Sequence, residues 1–275
     1  MKLVTGFFIF LALVFSACFS EKQQETSYKK NRSYPHNGKI KTPVALLIKE
    51  RNSVPFTLAS GFLVDKQAGI FGSAKHFIGI DEPGEYKLFF NGVVYDCFLL
   101  RLPVVSDIVL LKIQGKFNPK DFPEPYPFAK NIKIGEKVFI RGIHPHLLDK
   151  ISIDLVLPIF KDYYDLVQHK NNLKEFVFDN LSAKVTELNI TILNSSIGGS
   201  RGIQAISGTY FNTETDKDHE SSFGGLSGGP IVNEAGELIG ITSFEEVKNN
   251  FDKKEYRKIS GVYARELEKL MQIVK

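Results

Sequence analysis

Short apolar runs, broken by Gly, Pro, Asn and Asp, recur from Thr42 almost to the end of the chain. Val44–Lys49, Phe56–Val64, Leu88–Phe90, Val93–Phe98 and the run following Asp107 all have the length of strands. Asn91-Gly92 between two of them is the strongest short hairpin signal there is, because both residues accept positive φ. Ala183–Leu193 and Gly202–Phe211 predict further strands, and Ile231 to Ile241 reads as two apolar runs joined by a turn-rich centre. This spacing predicts an all-β barrel or sandwich rather than alternating βαβ units. Two stretches carry helical period instead. Lys161–Phe176, with apolar residues at Tyr163, Leu166, Val167 and Leu173, predicts a short amphipathic helix inserted between strands. Residues 263–275, with Leu267, Leu270, Met271 and Val274 on one face, predict a C-terminal helix.

The N-terminus follows a different pattern. One lysine precedes an apolar run that ends in Phe15-Ser16-Ala17-Cys18, and the run is shorter than the roughly 20 residues a membrane-crossing helix needs. Residues 1–18 therefore read as an export signal. Its ending resembles a bacterial lipobox, in which Cys18 is lipidated and becomes the mature N-terminus; the alternative is an ordinary signal peptide cut nearby, with Cys18 discarded. Residues 19–40 are polar and read as a flexible tether, Lys29-Lys30-Asn31-Arg32 included, and the folded body is expected over 41–275. The expected location is the cell envelope, with a lipid anchor as the membrane contact.

Export changes how the cysteines are read. Only Cys97 remains in the body, so no internal disulfide can form and stability must come from an apolar core. With 43% hydrophobic residues there is enough chain to build one. Cys97 lies in a strand pattern and reads as a small buried hydrophobe. Net charge is +4 over 275 residues with the two signs interspersed, which argues against nucleic acid as a partner. No cofactor or metal is expected. Neither HExxH nor GxxxxGK[ST] occurs, and His144-Pro145-His146 has no Cys or paired acid at ligand spacing, so it reads as a loop.

Three polar residues stand out against this pattern. Ser227 sits among glycines in Gly224-Gly225-Leu226-Ser227-Gly228-Gly229-Pro230, ahead of a strand. Taken alone this is a surface turn, but an exposed serine flanked by free backbone N–H groups also suits a nucleophile. His76 follows a strand in Gly72-Ser73-Ala74-Lys75-His76-Phe77. Asp107 opens Ile108-Val109-Leu110-Leu111, a run apolar enough to be buried, where a carboxylate needs a partner.

In these contexts and this order, His76, Asp107 and Ser227 resemble the chymotrypsin-like serine peptidases of trypsin fold, especially the bacterial HtrA/Deg type. Ser60-Gly61-Phe62 leading to Ala74-Lys75-His76-Phe77, then Asp107-Ile108-Val109-Leu110-Leu111, Ile134 to Gly142, and Gly225 to Pro230 match four family motifs in sequence. The resemblance implies two six-stranded antiparallel β-barrels, the first over about 41–125 and the second over about 126–262, followed by the helix at 263–275. It implies a serine endopeptidase acting on proteins or peptides, with Ser227 as nucleophile, His76 as base, Asp107 as its orienting partner, and the N–H groups of Gly225 and Ser227 as oxyanion hole. It further implies a primary substrate pocket with Ser221 at the floor and walls from Ile241 to Phe244, Ser243 and Phe244 among them. A floor without a buried carboxylate favours small or medium apolar residues over Arg or Lys. The chain ends too soon after this helix for the PDZ domains of many HtrA relatives.

Leu226 departs from the family, where Asp in trypsin-like zymogens or Asn in the HtrA type precedes the serine. Leucine cannot pair with a newly freed N-terminus, so activation by N-terminal cleavage is not expected. Two readings stay open: an oxyanion loop that is formed at rest, or a gated or inactive binding module. An esterase fits less well, since its nucleophile elbow lies between a strand and a helix with the histidine last in the chain.

Overall fold

The computed structural model describes residues 43–51, 54–78, 84–90, 93–101, 106–145, 176–199, 202–219, 225–250 and 253–274. The expected export signal with Cys18, the tether, the inserted helix up to residue 175, His146, Glu220 and Ser221 lie outside them.

Twelve strands are formed among the described residues. β1 (Val44–Arg51), β2 (Val54–Asp65), β3 (Ile70–Ser73), β4 (Glu85–Phe90), β5 (Val93–Arg101) and β6 (Val109–Ile113) close into one antiparallel barrel in the order β1-β2-β3-β6-β5-β4. β7 (Lys137–Pro145), β8 (Phe176–Gly199), β9 (Gly202–His219), β10 (Pro230–Asn233), β11 (Leu238–Asn250) and β12 (Lys253–Tyr263) close a second in the order β10-β11-β12-β9-β8-β7. The expected pair of six-stranded barrels is what the chain builds. Closure leaves neither sheet an open edge. β4 and β5 pair antiparallel on either side of the expected hairpin turn, Phe90 with Val93; Asn91 and Gly92 themselves lie outside the described residues.

Alternation along the strands sorts the apolar residues into three cores. Leu47, Leu63, Phe71, Leu88, Phe90 and Leu111 fill the first barrel, joined by Phe122, whose ring stacks on Phe90 at 5.1 Å between centroids. Val138, Ile140, Phe211, Leu226, Ile231 and Ile239 fill the second. The third core, including Phe62, Ile108, Leu110, Tyr210, Ile241 and Val262, joins residues of both barrels. Onto it packs α1 (Ala264–Val274), the expected C-terminal helix, which buries Leu267, Leu270 and Met271. Full burial of one such side chain contributes about 2 kcal/mol, so this face ties the C-terminus to both barrels. Cys97 is buried in the first core, where desolvation and then the charge of Asp96 push its thiol up to about 12, against the weaker opposing pull of Lys87.

β8 and β9 run well past the expected limits, pairing from Ala183↔Thr215 out to Gly199↔Gly202. Three register shifts along the ladder, between Val185 and Ser195, mark where the hairpin leaves the regular pattern of the barrel.

Candidate active site

Each polar residue singled out in the sequence is held at a strand end facing the junction of the barrels. His76 lies on a single 3₁₀ turn, Lys75–Phe77, that continues from β3; Ala74 before it and Phe77 after it are buried, which pins the turn to the first barrel. Asp107 lies two residues before the start of β6 and is fully buried. Its predecessor Ser106 takes φ 106°, a conformation that costs a non-glycine residue on the order of 1–3 kcal/mol, and its N–H is held by the Ser207 carbonyl on β9 at 2.9 Å.

A buried carboxylate is tolerable only when donors surround it. Asp107 has three. His76 N–H donates to Oδ1 at 2.8 Å, His76 Nδ1 meets Oδ2 at 2.7 Å, and Ser243 Oγ donates to Oδ2. An ionised carboxylate only accepts, so the imidazole proton sits on Nδ1 and Nε2 keeps its lone pair. Burial lowers the His76 pKa, but the charge of Asp107 and its hydrogen bond outweigh that, and the net direction is upward from 6.5. Two opposed pH trends follow. Any activity that needs neutral His76 should rise with pH along a limb whose midpoint lies above 6.5, read from kcat/KM against pH. The stability contributed by the imidazolium–carboxylate pair is complete below 6.5 and lost as pH rises through the raised value, read from Tm across the same range.

The glycine-rich loop is clamped from both barrels. From β2, Ser60 N–H donates to the Ser227 carbonyl and Ser60 Oγ to the Gly225 carbonyl, each at 2.8 Å; Ser73 Oγ donates in turn to the Ser60 carbonyl at 2.7 Å. From β11, the Thr242 carbonyl accepts Gly228 N–H at 2.8 Å. Gly228 is required here on two counts: its φ is +84°, and a Cβ would lie 2.1 Å from Ser73 Oγ and 2.3 Å from the Ser60 carbonyl oxygen. Gly225 also takes positive φ, +96°. Among the described residues, neither Gly225 nor Ser227 spends its N–H in a backbone hydrogen bond.

Leu226, left open by the sequence, turns inward. It is fully buried in the second-barrel core, against β7 at a point where a Cβ on Gly142 would come within 2.5 Å of its Cδ2. Apolar packing of Leu226 thus adds to the hydrogen bonds from Ser60 and Thr242 that hold the described part of the loop.

Ser227 is partly exposed, and its hydroxyl donates to the Ser243 carbonyl at 3.2 Å rather than to His76. Ser243 therefore links the loop to Asp107. The sequence places Ser243 in a pocket wall, whereas its side chain is buried against the carboxylate. It sits at a bulge, since Thr242 pairs with Gly261 and Phe244 already with Ser260. Of the expected wall Ile241–Phe244, only Phe244 keeps part of its side chain exposed, with its ring edge-on to Tyr210 at 5.7 Å. Among the described residues, no three His, Cys, Asp or Glu side chains gather as a metal cage. Ser60, Ser73 and Thr242 were not singled out for these supporting roles; the Ser-Gly-Phe motif on β2 was the available signal for the first.

Residues 171–265 match the family model described as Trypsin. The inactive form of the Rv3671c protease superposes with a TM-score of 0.51 at 15% identity, over 84% of this chain and 88% of that one. The active form of the same Mycobacterium tuberculosis protease gives 0.51 at 16% identity, over 83% and 79%. At this identity the likeness speaks for the fold. No curated protein sequence matches the chain.

Proposed function

We infer that this chain is a chymotrypsin-like serine peptidase, an endopeptidase working through His76, Asp107 and Ser227; its two closed barrels and the match of residues 171–265 to the Trypsin family model support this reading. The observation that carries the triad is the buried Asp107 carboxylate bound twice to His76, beside a loop in which, among the described residues, the N–H groups of Gly225 and Ser227 make no backbone hydrogen bond.

In this reading, the Ser227 hydroxyl leaves its 3.2 Å contact with the Ser243 carbonyl, long for an O–H···O bond, and turns to His76 Nε2. Ser227 Oγ bonds to the substrate carbonyl carbon as its proton passes to Nε2, and the carbonyl electron pair moves to oxygen. Gly225 and Ser227 N–H groups hold that oxyanion. The C–N bond then breaks, with the Nε2 proton going to the amine, which leaves an ester on Ser227. Water attacks the ester, gives its proton to Nε2, and the acid product departs as Ser227 takes the proton back. Asp107 keeps the imidazole in its tautomer and stabilises the imidazolium.

A gated or inactive binding module is favoured by one observation, the Ser227 hydroxyl facing Ser243. Incubation with a peptide library separates the two. The peptidase reading expects new termini after Val, Ala or Leu that are absent with Ser227→Ala. No cleavage favours the binding module, and dominant cleavage after Arg or Lys would mean that Glu220, not Ser221, forms the pocket floor. We place the activity at the cell envelope, in protein processing or quality control of the HtrA/Deg kind, from the apolar run ahead of Cys18. Mass spectrometry of the mature protein is expected to show an acylated Cys18 as first residue; an unmodified terminus downstream of it contradicts the lipid anchor.

A further inference from the structure

Behind Asp107 lies a titratable group that the triad does not use. Tyr210, on β9, is fully buried, and among the described residues its hydroxyl makes no regular hydrogen bond, although the Ser243 hydroxyl and the Asp107 N–H are close enough to influence it. Leaving a buried hydroxyl unsatisfied is unfavourable, and phenylalanine would fill the same space without that penalty.

The surroundings of the ring indicate where the hydroxyl belongs. On one side its edge packs toward Ser106: a Cβ placed on Gly208 would lie 3.4 Å from Tyr210 Cε2 and 3.5 Å from Ser106 Cα, the residue before Asp107. On the other side the ring meets Phe244, the residue after Ser243. The phenol is thus wedged between the segments that carry Asp107 and Ser243. Ser243 Oγ spends its one proton on Asp107 Oδ2 and keeps lone pairs that can accept. Burial first, and the charge of Asp107 second, push the Tyr210 pKa upward, so the phenol keeps its proton and has it to offer.

We propose that Tyr210 is a positioning residue of this site: its hydroxyl donates to Ser243 Oγ in the working protein, completing a chain from Tyr210 through Ser243 to Asp107 and His76. The chain holds the carboxylate against the imidazole while the imidazolium forms. This rests on the triad reading above.

Tyr210→Phe removes a single oxygen and tests the idea. The expected result is a kcat about fivefold lower, the rate equivalent of one net hydrogen bond, with KM unchanged and Tm equal or higher. The downfield proton NMR signal of His76 Nδ1 should shift. In a Ser243→Ala background, Tyr210→Phe should change nothing further. Wild-type kcat with an unmoved signal overturns the proposal, as does an undiminished effect in the Ser243→Ala background. The NMR signal needs no turnover. A wild type without activity whose signal shifts in Tyr210→Phe would remove the peptidase reading and leave the relay standing.

Discussion

Replacing Ser227 by Ala, or His76 by Ala, is expected to lower turnover of a good peptide substrate by about a million-fold. Loss of one member of a cooperating catalytic unit costs nearly as much as loss of all. In the proposed mechanism the Ser227 proton goes to His76 Nε2, which stays free to receive it because Asp107 Oδ2 meets Nδ1 on the other side of the ring at 2.7 Å. Residual cleavage above the uncatalysed rate is still expected from the two loop N–H groups. Ser227→Ala should leave Tm nearly unchanged, since among the described residues the hydroxyl makes one long hydrogen bond. Steady-state kinetics on both variants decide the matter, and near-wild-type turnover in Ser227→Ala is incompatible with a serine nucleophile at this position.

Leu226→Asp should have the next largest effect, and on the fold rather than on the chemistry alone. The side chain points into a core whose members include Val138, Ile140, Phe211, Ile231 and Ile239, all of them apolar. An uncompensated buried charge costs on the order of 4 kcal/mol, which at this chain length is about 10 °C of Tm. Leu226→Met, similar in volume, should keep both Tm and activity. Thermal unfolding of the two variants is the measurement. A Leu226→Asp protein that melts with wild type would mean that the loop leaves the core in solution, and with it the case for a loop formed at rest.

The strands were legible because alternation and turns are written locally: Val44–Lys49 and Phe56–Val64 fall within β1 and β2, and Asn91-Gly92 lies between β4 and β5; their closure into two barrels was legible only through the family resemblance, since alternation alone fits a sandwich equally well. His76 and Asp107 were legible as a pair, since a histidine after a strand and an acid heading an apolar run each need an explanation that only the other supplies. Ser243 was not. Its turn toward Asp107 depends on a bulge between Thr242 and Phe244, which Thr-Ser-Phe does not announce. Tyr210 reads in sequence as one more apolar residue of a strand, and only the fold sets it between Asp107 and Ser243. The outer parts of β8 and β9 escaped because Asn194-Ser195-Ser196 and the glycines after them carry little apolar alternation; the backbone ladder continues there regardless. Leu226 was noticed as a departure, but whether a lone leucine caps a loop or enters a core is settled by Gly142 across from it, more than 80 residues away in sequence.

Reaction with a fluorophosphonate probe tests the central claim most directly, because phosphonylation requires a serine oxygen activated by a neighbouring base and an oxyanion hole that is already formed. The wild-type protein is expected to take up one probe per chain, on the peptide containing Ser227, with a rate that rises along the His76 limb above pH 6.5 and vanishes in His76→Ala. A folded wild-type protein that stays unlabelled across this range, or that is labelled at any serine other than Ser227, would contradict the account.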